Sequence, residues 1–300
     1  MSSELHSSSP ASPYRGRFAP SPTGLLHAGS LAAALASWLD ARAHSGIWIV
    51  RIEDIDPPRD IPGAGEAILE DLQRFGLTSD EPIIWQHDRH DAYAAALADL
   101  EARGLVFGCA CSRKEILAAD TALGLTPGVY PGTCRKGTHG RAVRSLRFRV
   151  PDGIISFIDR WQGTFSQDVH HDVGDFVLRR ADGLWAYQLA VVVDDIATGI
   201  TDIVRGADLV DNTPRQILLT QALSNTPCRY MHIPLVLNDR AEKLSKQQGA
   251  RHVDTTDPLA SLEVAGLHLG LPKIGADTLT AYLQEATRLW AERWQIRPYA

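Results

Sequence analysis

The sequence lacks any apolar run of the roughly 18 residues that a membrane-spanning helix requires. Its N-terminus has no charged stretch followed by an apolar core, so we expect a cytoplasmic protein with no leader peptide and no membrane contact. Cysteine is scarce, with four residues in 300. Two of them, Cys109 and Cys111, are separated by one residue, and this spacing favours metal binding over a disulfide framework.

Positively charged residues are fewer than negatively charged ones. The chain has 30 Lys and Arg residues and 36 Asp and Glu residues, which give a net charge of −6. A nucleic-acid partner must therefore be met by a local basic patch rather than by attraction to the whole molecule. The hydrophobic fraction of 44% is sufficient for one large domain or two ordinary ones. Residues 1–14 are rich in serine and proline and predict a disordered tail.

The stretch 15–30 concentrates the residue types of a phosphate-binding turn. Two prolines end a strand predicted over residues 14–19, and two glycines allow other groups to approach the backbone closely. A strong helix former follows at 31–42, so His27 and Gly29 lie just ahead of a helix N-terminus. Free N–H groups and the helix dipole favour anions there, and the pattern therefore predicts a nucleotide-phosphate site.

A second candidate phosphate segment lies more than two hundred residues later. Lys243 and Lys246 flank Ser245 in a loop that ends at Gly249. Two lysines at this spacing can hold polyphosphate oxygens as movable point charges.

Together the two segments resemble the paired signatures of the class I aminoacyl-tRNA synthetases, His-Ile-Gly-His and Lys-Met-Ser-Lys-Ser. Here they read His-Ala-Gly-Ser at 27–30 and Lys-Leu-Ser-Lys-Gln at 243–247. Three further segments, at residues 17–24, 51–56 and 212–216, resemble motifs of the glutamyl branch of that class. The resemblance covers roughly residues 15 to 250 and implies ATP, with Mg²⁺, as a substrate.

The order of predicted elements indicates an α/β fold with a Rossmann-like parallel-sheet nucleotide-binding domain. The strand at 14–19, the helix at 31–42 and the apolar run 46–52 form a βαβ unit. Amphipathic helices are predicted at 66–75 and 88–103.

Beyond this unit, residues 108–175 contain cysteines, glycines and short β-like pieces, and predict an inserted zinc-bearing α+β subdomain. The apolar run 185–193 predicts a strand that returns to the central sheet, with Asp194 and Asp195 at its ligand-binding end. The predicted organisation is a disordered tail (1–14), a first catalytic part (15–107), the insertion (108–175), a second catalytic part (176–238) and the lysine loop with a short C-terminal helical cap (239–300).

The resemblance also implies roles for individual residues. His27, Gly29 and Lys246 contact ATP. Ser30, which replaces the second histidine of the signature, and Lys243 complete the catalytic set. Glutamate is bound by Arg17, Phe18, Ala19, Pro20, Ser21, Glu53, Tyr187 and Arg205.

Within the glutamate set, Arg17 and Arg205 would clamp the side-chain carboxylate and Glu53 would meet the ammonium group. A structural salt bridge of Glu53 with Arg51 or Arg59 is the alternative. The sequence departs from the glutamyl pattern at residue 191, where valine replaces an asparagine. We expect this change to weaken glutamate binding.

The cysteines suggest a small structural zinc site with tetrahedral geometry. A capping box at 112–115 predicts that a helix begins directly behind it. His139 is a rival for the fourth ligand position, and two buried free thiols with an unrelated third cysteine are the alternative to a metal site. The resemblance favours the ligand set Cys109, Cys111, Tyr130 and Cys134.

Only 53 residues follow Gln247, too few for the long helical anticodon-binding region of full-length glutamyl-tRNA synthetases. This architecture resembles the glutamyl-queuosine tRNA(Asp) synthetases, which attach glutamate to the modified base queuosine in a tRNA anticodon loop. The implied partners are glutamate, ATP and tRNA(Asp) bearing queuosine, and we expect a monomer. The candidate phosphate-binding side chains of the RNA site are Arg135, Lys136, Arg141 and Arg144.

Two alternatives stay open at the level of the sequence. A compact glutamyl-tRNA synthetase would charge the 3′ end of the tRNA. A catalytically silent paralogue would bind tRNA or zinc as an accessory module.

Overall fold

A computed structural model describes residues 13–224, 226–236 and 252–296 of the chain. The strands in these ranges are β1 (Arg15–Phe18), β2 (Ile47–Ile52), β3 (Ile84–Trp85), β4 (Val106–Cys109), β5 (Ser145–Phe148), β6 (Ile154–Asp159), β7 (Gly163–Asp168), β8 (Val177–Arg179), β9 (Asp202–Gly206) and β10 (Arg229–Ile233). The α-helices are α1 (Ala28–Ala43), α2 (Ala64–Arg74), α3 (His90–Ala102), α4 (Arg113–Leu123), α5 (Val169–Asp172), α6 (Tyr187–Ala197), α7 (Thr213–Leu223), α8 (Pro258–His268) and α9 (Leu279–Trp294). None of these helices is both long and apolar enough to cross a membrane.

The central sheet has seven strands in the order β3-β2-β1-β9-β10-β6-β7. All neighbouring pairs from β3 to β6 are parallel, and β7 returns antiparallel beside β6. The carboxyl ends of the parallel strands therefore meet at one edge of the sheet, where ligands bind in open α/β folds. This architecture confirms the predicted α/β class.

Helix α1 forms the centre of the main hydrophobic core, because its many alanines allow it to pack closely against the sheet. Leu35 on this helix and Trp48 on β2 are fully buried. Helix α1 also packs against α8 and α9, so these two helices cover the helix that lies on the central sheet. The contact includes a buried polar group, since Asp40 accepts hydrogen bonds from Tyr14 Oη at 2.6 Å and from Trp290 Nε1 at 2.9 Å.

A second, antiparallel sheet has three strands in the order β4-β5-β8. Helix α4 begins directly after β4, and the predicted capping box is present between Ser112 and Glu115. The β6–β7 hairpin belongs to the central sheet instead. The stretch 108–175 is thus divided between the two sheets.

The structure corrects the prediction of a strand over residues 185–193, because residues 187–193 form the start of α6 and Trp185 only makes an isolated antiparallel bridge with Arg179. An apolar run without a clear period suits either a buried strand or a buried helix, so the pattern did not distinguish them. Helix α6 is buried from Gln188 to Asp195 because α3 and α7 pack on it. Asp194 and Asp195 lie in its last turns and not at the end of a sheet strand.

Candidate active site

A cleft of about 470 Å³ lies at the carboxyl ends of β1, β9 and β10. The structure brings nearly all of the described residues predicted for ATP and glutamate to this one cavity. The predicted residues that line it are Arg17, Phe18, Ala19, Pro20, Ser21, His27, Gly29, Ser30, Tyr187 and Arg205. Glu53 lines a neighbouring recess of about 440 Å³, which shares Ser21 and Tyr187 with the cleft. Lys243 and Lys246 lie outside the described residues.

The predicted phosphate corner is the N-terminus of α1, which begins directly after His27. The imidazole caps the helix, because its Nδ1 accepts the Ser30 N–H at 3.3 Å and its Nε2 lies 3.0 Å from Ser30 Oγ. Gly29 leaves room for the ring, since a Cβ there would stand 3.1 Å from His27 Cε1. The cleft therefore has a histidine, a hydroxyl and helix N–H groups at one end, a set that suits phosphate.

Arg17 is buried and is held by Asp195, whose Oδ1 lies 3.2 Å from Arg17 Nε. Arg51, with no exposed surface, donates to the same carboxylate at 2.7 Å and to Glu53 Oε1 at 3.1 Å. Burial alone would raise the pKa of Asp195, but the two guanidinium groups hold it below its usual value. The Arg51–Glu53 salt bridge considered from the sequence is thus present, and it fixes Glu53 beside the recess.

Asp194, the neighbour of Asp195, accepts hydrogen bonds from a different set of side chains. It accepts hydrogen bonds from Tyr93 Oη at 2.7 Å, from Gln86 Nε2 at 2.8 Å and from Arg89 Nε at 2.9 Å. These bonds attach α6 to α3 and to the segment before it. Arg51 joins the two adjacent carboxylates, because its Nε lies 3.8 Å from Asp194 Oδ2 while its Nη1 bonds to Asp195.

Arg205 lies at the end of β9 and lines the cleft. Its Nη2 donates to Thr213 Oγ1 at 2.7 Å, and its Nε donates to His232 Nε2 at 3.0 Å. Its Nη1 is buried and has no hydrogen-bond partner in the part of the chain that the structure describes. An anionic ligand in the cleft would satisfy this donor.

Tyr187 lines both cavities and is the first residue of α6. Burial raises the pKa of its hydroxyl, so the group is a neutral hydrogen-bond donor at pH 7. One turn later, Val191 is 1% exposed and packs in a hydrophobic cluster. The expected effect of this valine on glutamate binding stays a prediction.

The three predicted cysteine ligands lie together, with Sγ atoms within 4.8 Å of one another. The Sγ atoms of Cys111 and Cys134 are 3.6 Å apart, and Tyr130 Oη lies 3.4 Å from Cys109 Sγ. Two thiolates on a tetrahedral zinc ion, each about 2.3 Å from it, are about 3.8 Å apart. The donor set therefore fits a metal of the zinc type. His139 is exposed and is not part of this cluster.

Several residues that line or support the cleft were not predicted from the sequence. Thr23, Gly206 and Asp208 line the cleft; Thr23 follows the strand predicted at 14–19, whereas Gly206 and Asp208 lie at and just after the end of β9, which the sequence analysis did not predict. Asp195 and His232 contact the two cleft arginines from behind. Their roles depend on packing between distant parts of the chain, so no local pattern indicates them.

A family model for the catalytic domain of tRNA synthetases class I (E and Q) matches residues 14–258. A solved glutamate tRNA ligase from Elizabethkingia meningosepticum, in complex with its amino acid, is 30% identical with a TM-score of 0.69. The match covers 79% of this chain and 52% of that one, so the chain spans about half the length of this structure. The chain belongs to the class I tRNA synthetases of the E and Q type.

The curated relatives narrow this class further. A glutamyl-Q tRNA(Asp) synthetase of Burkholderia cenocepacia is 56% identical over 294 residues, which cover 95% of this chain and 98% of the relative. One of Ralstonia nicotianae is 51% identical over 307 residues, with 99% and 97% covered. Within its class the chain therefore belongs to the glutamyl-Q tRNA(Asp) synthetase family, and it is a ligase of the aminoacyl-tRNA synthetase type.

Proposed function

We propose that this enzyme activates glutamate with ATP and transfers the glutamyl group to queuosine in the anticodon loop of tRNA(Asp). The observation that carries the proposal is the near full-length identity of 51–56% to relatives with the name glutamyl-Q tRNA(Asp) synthetase. The cleft supports it, because a corner suited to phosphate and two buried arginines face one cavity.

In the first step, an α-carboxylate oxygen of glutamate attacks the α-phosphorus of ATP. The bond to pyrophosphate breaks, and glutamyl-adenylate forms. The reaction requires neutralisation of phosphate charge more than it requires a base. His27, Ser30 and the α1 N-terminus would hold the phosphates, with Lys243, Lys246 and Mg²⁺ as further positive charges.

The glutamate side chain would meet Arg17 and Arg205, and its ammonium group would meet Glu53. Arg205 is suited to a carboxylate because its described partners, the Thr213 hydroxyl and the His232 ring, carry no negative charge. Among the residues that the structure describes, no carboxylate forms an ion pair with Arg205, so its positive charge is available to a ligand. This arrangement favours glutamate over the uncharged glutamine.

In the second step, a hydroxyl of the cyclopentene ring of queuosine attacks the carbonyl carbon of the adenylate. An ester forms and AMP leaves. The RNA would be held by a local basic surface, since residues 108–150 contain eight Lys and Arg residues and two acidic ones in a chain of net charge −6. Lys136, Arg141 and Arg144 on this segment are exposed. Contacts of this kind to phosphates weaken with salt.

A structural zinc ion is part of the proposal. Cys109, Cys111 and Cys134 would bind it as thiolates, and Tyr130 is the proposed fourth ligand. The ion would connect the end of β4 to the loop around residue 134, which has little regular structure of its own.

The test compares tRNA(Asp) with and without queuosine as acceptors of labelled glutamate. Label is expected only on the queuosine-containing RNA, and nuclease digestion should place it in the anticodon loop. Equal labelling of the two RNAs, or label on the 3′-terminal adenosine, would contradict the proposal and favour a compact glutamyl-tRNA synthetase. Absence of glutamate-dependent pyrophosphate exchange would contradict the activation step itself.

A further inference from the structure

Arg205 and His232 are opposite each other on the adjacent parallel strands β9 and β10. His232 is completely buried and is not among the residues that line the cleft. Its Nε2 accepts a hydrogen bond from Arg205 Nε at 3.0 Å. The histidine thus contacts the back of an arginine whose other end faces the cavity.

The tautomer of His232 follows from its second partner, Asp159. Asp159 Oδ2 lies 2.6 Å from His232 Nδ1, and an ionised carboxylate only accepts hydrogen bonds. The ring proton therefore lies on Nδ1, and Nε2 presents a lone pair to Arg205. Burial lowers the pKa of His232, so the ring is neutral at pH 7. A proton on Nε2 would instead place two N–H donors toward each other, with the Thr213 hydroxyl, 3.1 Å from Nε2, as the one neighbouring acceptor, and this hydroxyl already accepts from Arg205 Nη2.

Asp159 is itself fixed by the backbone around it. Its Oδ1 accepts the N–H groups of Trp161 at 2.9 Å, Gln162 at 2.8 Å and His232 at 3.1 Å. Two of these donors belong to the turn between β6 and β7. The hairpin turn, the carboxylate, the imidazole and the cleft arginine therefore form one continuous chain of hydrogen bonds.

We propose that Asp159 and His232 are positioning residues for substrate binding, which orient Arg205 so that its unpartnered Nη1 meets the side-chain carboxylate of the amino-acid substrate. The inference rests on the proposed function, because that function assigns Arg205 to glutamate. Neither positioning residue touches the substrate. Their effect is specific for the amino acid and does not extend to ATP, whose proposed contacts lie at the α1 corner.

The decisive variant is Asp159→Asn. Its amide oxygen can still accept the three backbone N–H groups, so the hairpin turn is retained. Its amide nitrogen donates to His232 Nδ1 and forces the proton to Nε2, against Arg205 Nε. In glutamate-dependent ATP–pyrophosphate exchange, the glutamate KM should rise about tenfold, as expected for one unmatched buried donor. The ATP KM and kcat should stay within about twofold.

Asp202→Asn is the matched control. Asp202 is a buried carboxylate on β9, the strand of Arg205, and it bonds to Arg229 and Thr201 instead. This variant should leave the glutamate KM unchanged. A similar rise in both variants would overturn the proposal, because it would indicate a general effect of removing a buried charge.

A second pair of variants keeps the test decisive if Asp159→Asn folds poorly. His232→Gln retains an acceptor oxygen near the position of Nε2 and should keep the glutamate KM within about threefold of the wild type. His232→Leu removes the acceptor and should raise it about tenfold. In the His232→Gln background, Asp159→Asn should have no further effect on the glutamate KM.

Equal glutamate KM values for His232→Leu and the wild type, or full additivity of the two substitutions, would overturn the positioning role. Failure of the proposed function gives a different result. Arg205→Ala would then leave the glutamate KM unchanged, or the wild type would show no exchange with glutamate. If Arg205→Ala strongly raises the glutamate KM and Asp159→Asn does not change it, only the positioning role of Asp159 and His232 is contradicted.

Discussion

The carboxylate of Asp195 lies 3.2 Å from Arg17 Nε, although 178 residues separate the two in the chain. Arg17 belongs to the first strand of the sheet, and Asp195 belongs to a helix that follows the second, antiparallel sheet. The arginine can reach its orientation in the cleft only after both parts of the catalytic domain have assembled. Formation of the proposed amino-acid site is thus coupled to the packing of α6 near β1.

This buried contact leads to a prediction about stability. Asp195→Ala removes the charge that compensates Arg17 and Arg51 and should lower the free energy of unfolding by about 3–5 kcal/mol. Asp182→Ala is the control, because Asp182 pairs with Arg180 at the surface and its removal should change the free energy of unfolding far less. Urea unfolding followed by circular dichroism measures both. Equal losses would show that the buried network does not hold the domain together.

A second prediction separates the helix cap that His27 forms from its proposed contact with phosphate. His27→Ala should cost about 1 kcal/mol of stability and slow pyrophosphate exchange about a hundredfold. His27→Asn preserves a good capping side chain, so its stability should be near that of the wild type while exchange remains slow. Recovery of the rate in His27→Asn would limit the imidazole to a capping role.

A third prediction concerns the stability of the protein at acidic pH, which we expect to depend on Asp40. Burial alone would raise the pKa of Asp40, but the Arg160 guanidinium and hydrogen bonds from Trp290 and Tyr14 hold it below its usual value. A carboxyl with a depressed folded pKa contributes stability above the unfolded value of about 3.9, and this contribution is lost as pH falls through the folded pKa.

The free energy of unfolding of the wild type should therefore decrease as pH falls below about 4. Asp40→Asn should be less stable at pH 7 and should show a shallower decrease, because its side chain does not titrate. Urea unfolding between pH 7 and pH 3 tests this. Parallel pH profiles of the two proteins would exclude Asp40 as a source of the acid sensitivity.

A fourth prediction concerns the cysteine cluster. Metal analysis should find about one zinc ion per chain, and the double variant Cys111→Ser/Cys134→Ser should lose it. Tyr130→Phe should weaken zinc binding, whereas His139→Ala should have no effect because His139 is exposed and outside the cluster. Zinc loss in His139→Ala without loss in Tyr130→Phe would transfer the fourth position to the histidine.

The sequence by itself determined the features that depend on neighbouring residues. The strand, turn and helix around His27 follow from prolines, glycines and an alanine-rich run, and the capping box at Ser112 is a local pattern. The separated phosphate segments and the cysteines at 109 and 111 carry their chemistry in residue type and spacing. These signals were sufficient for the fold class, and together with the family resemblance they gave the enzyme class and half of the lining of the cleft.

Other features became clear only from the tertiary structure, because they depend on contacts between residues that are distant in the chain. Residues 187–193 form a helix that packs against α3 and α7, and an apolar run does not reveal which neighbours will cover it. Asp159 reaches Arg205 through His232 because the sheet order places β10 between β9 and β6, and Asp195 reaches Arg17 because the fold brings α6 to β1. A hydrogen bond between distant residues leaves no periodic pattern in the sequence, because its geometry exists only after the strands have paired.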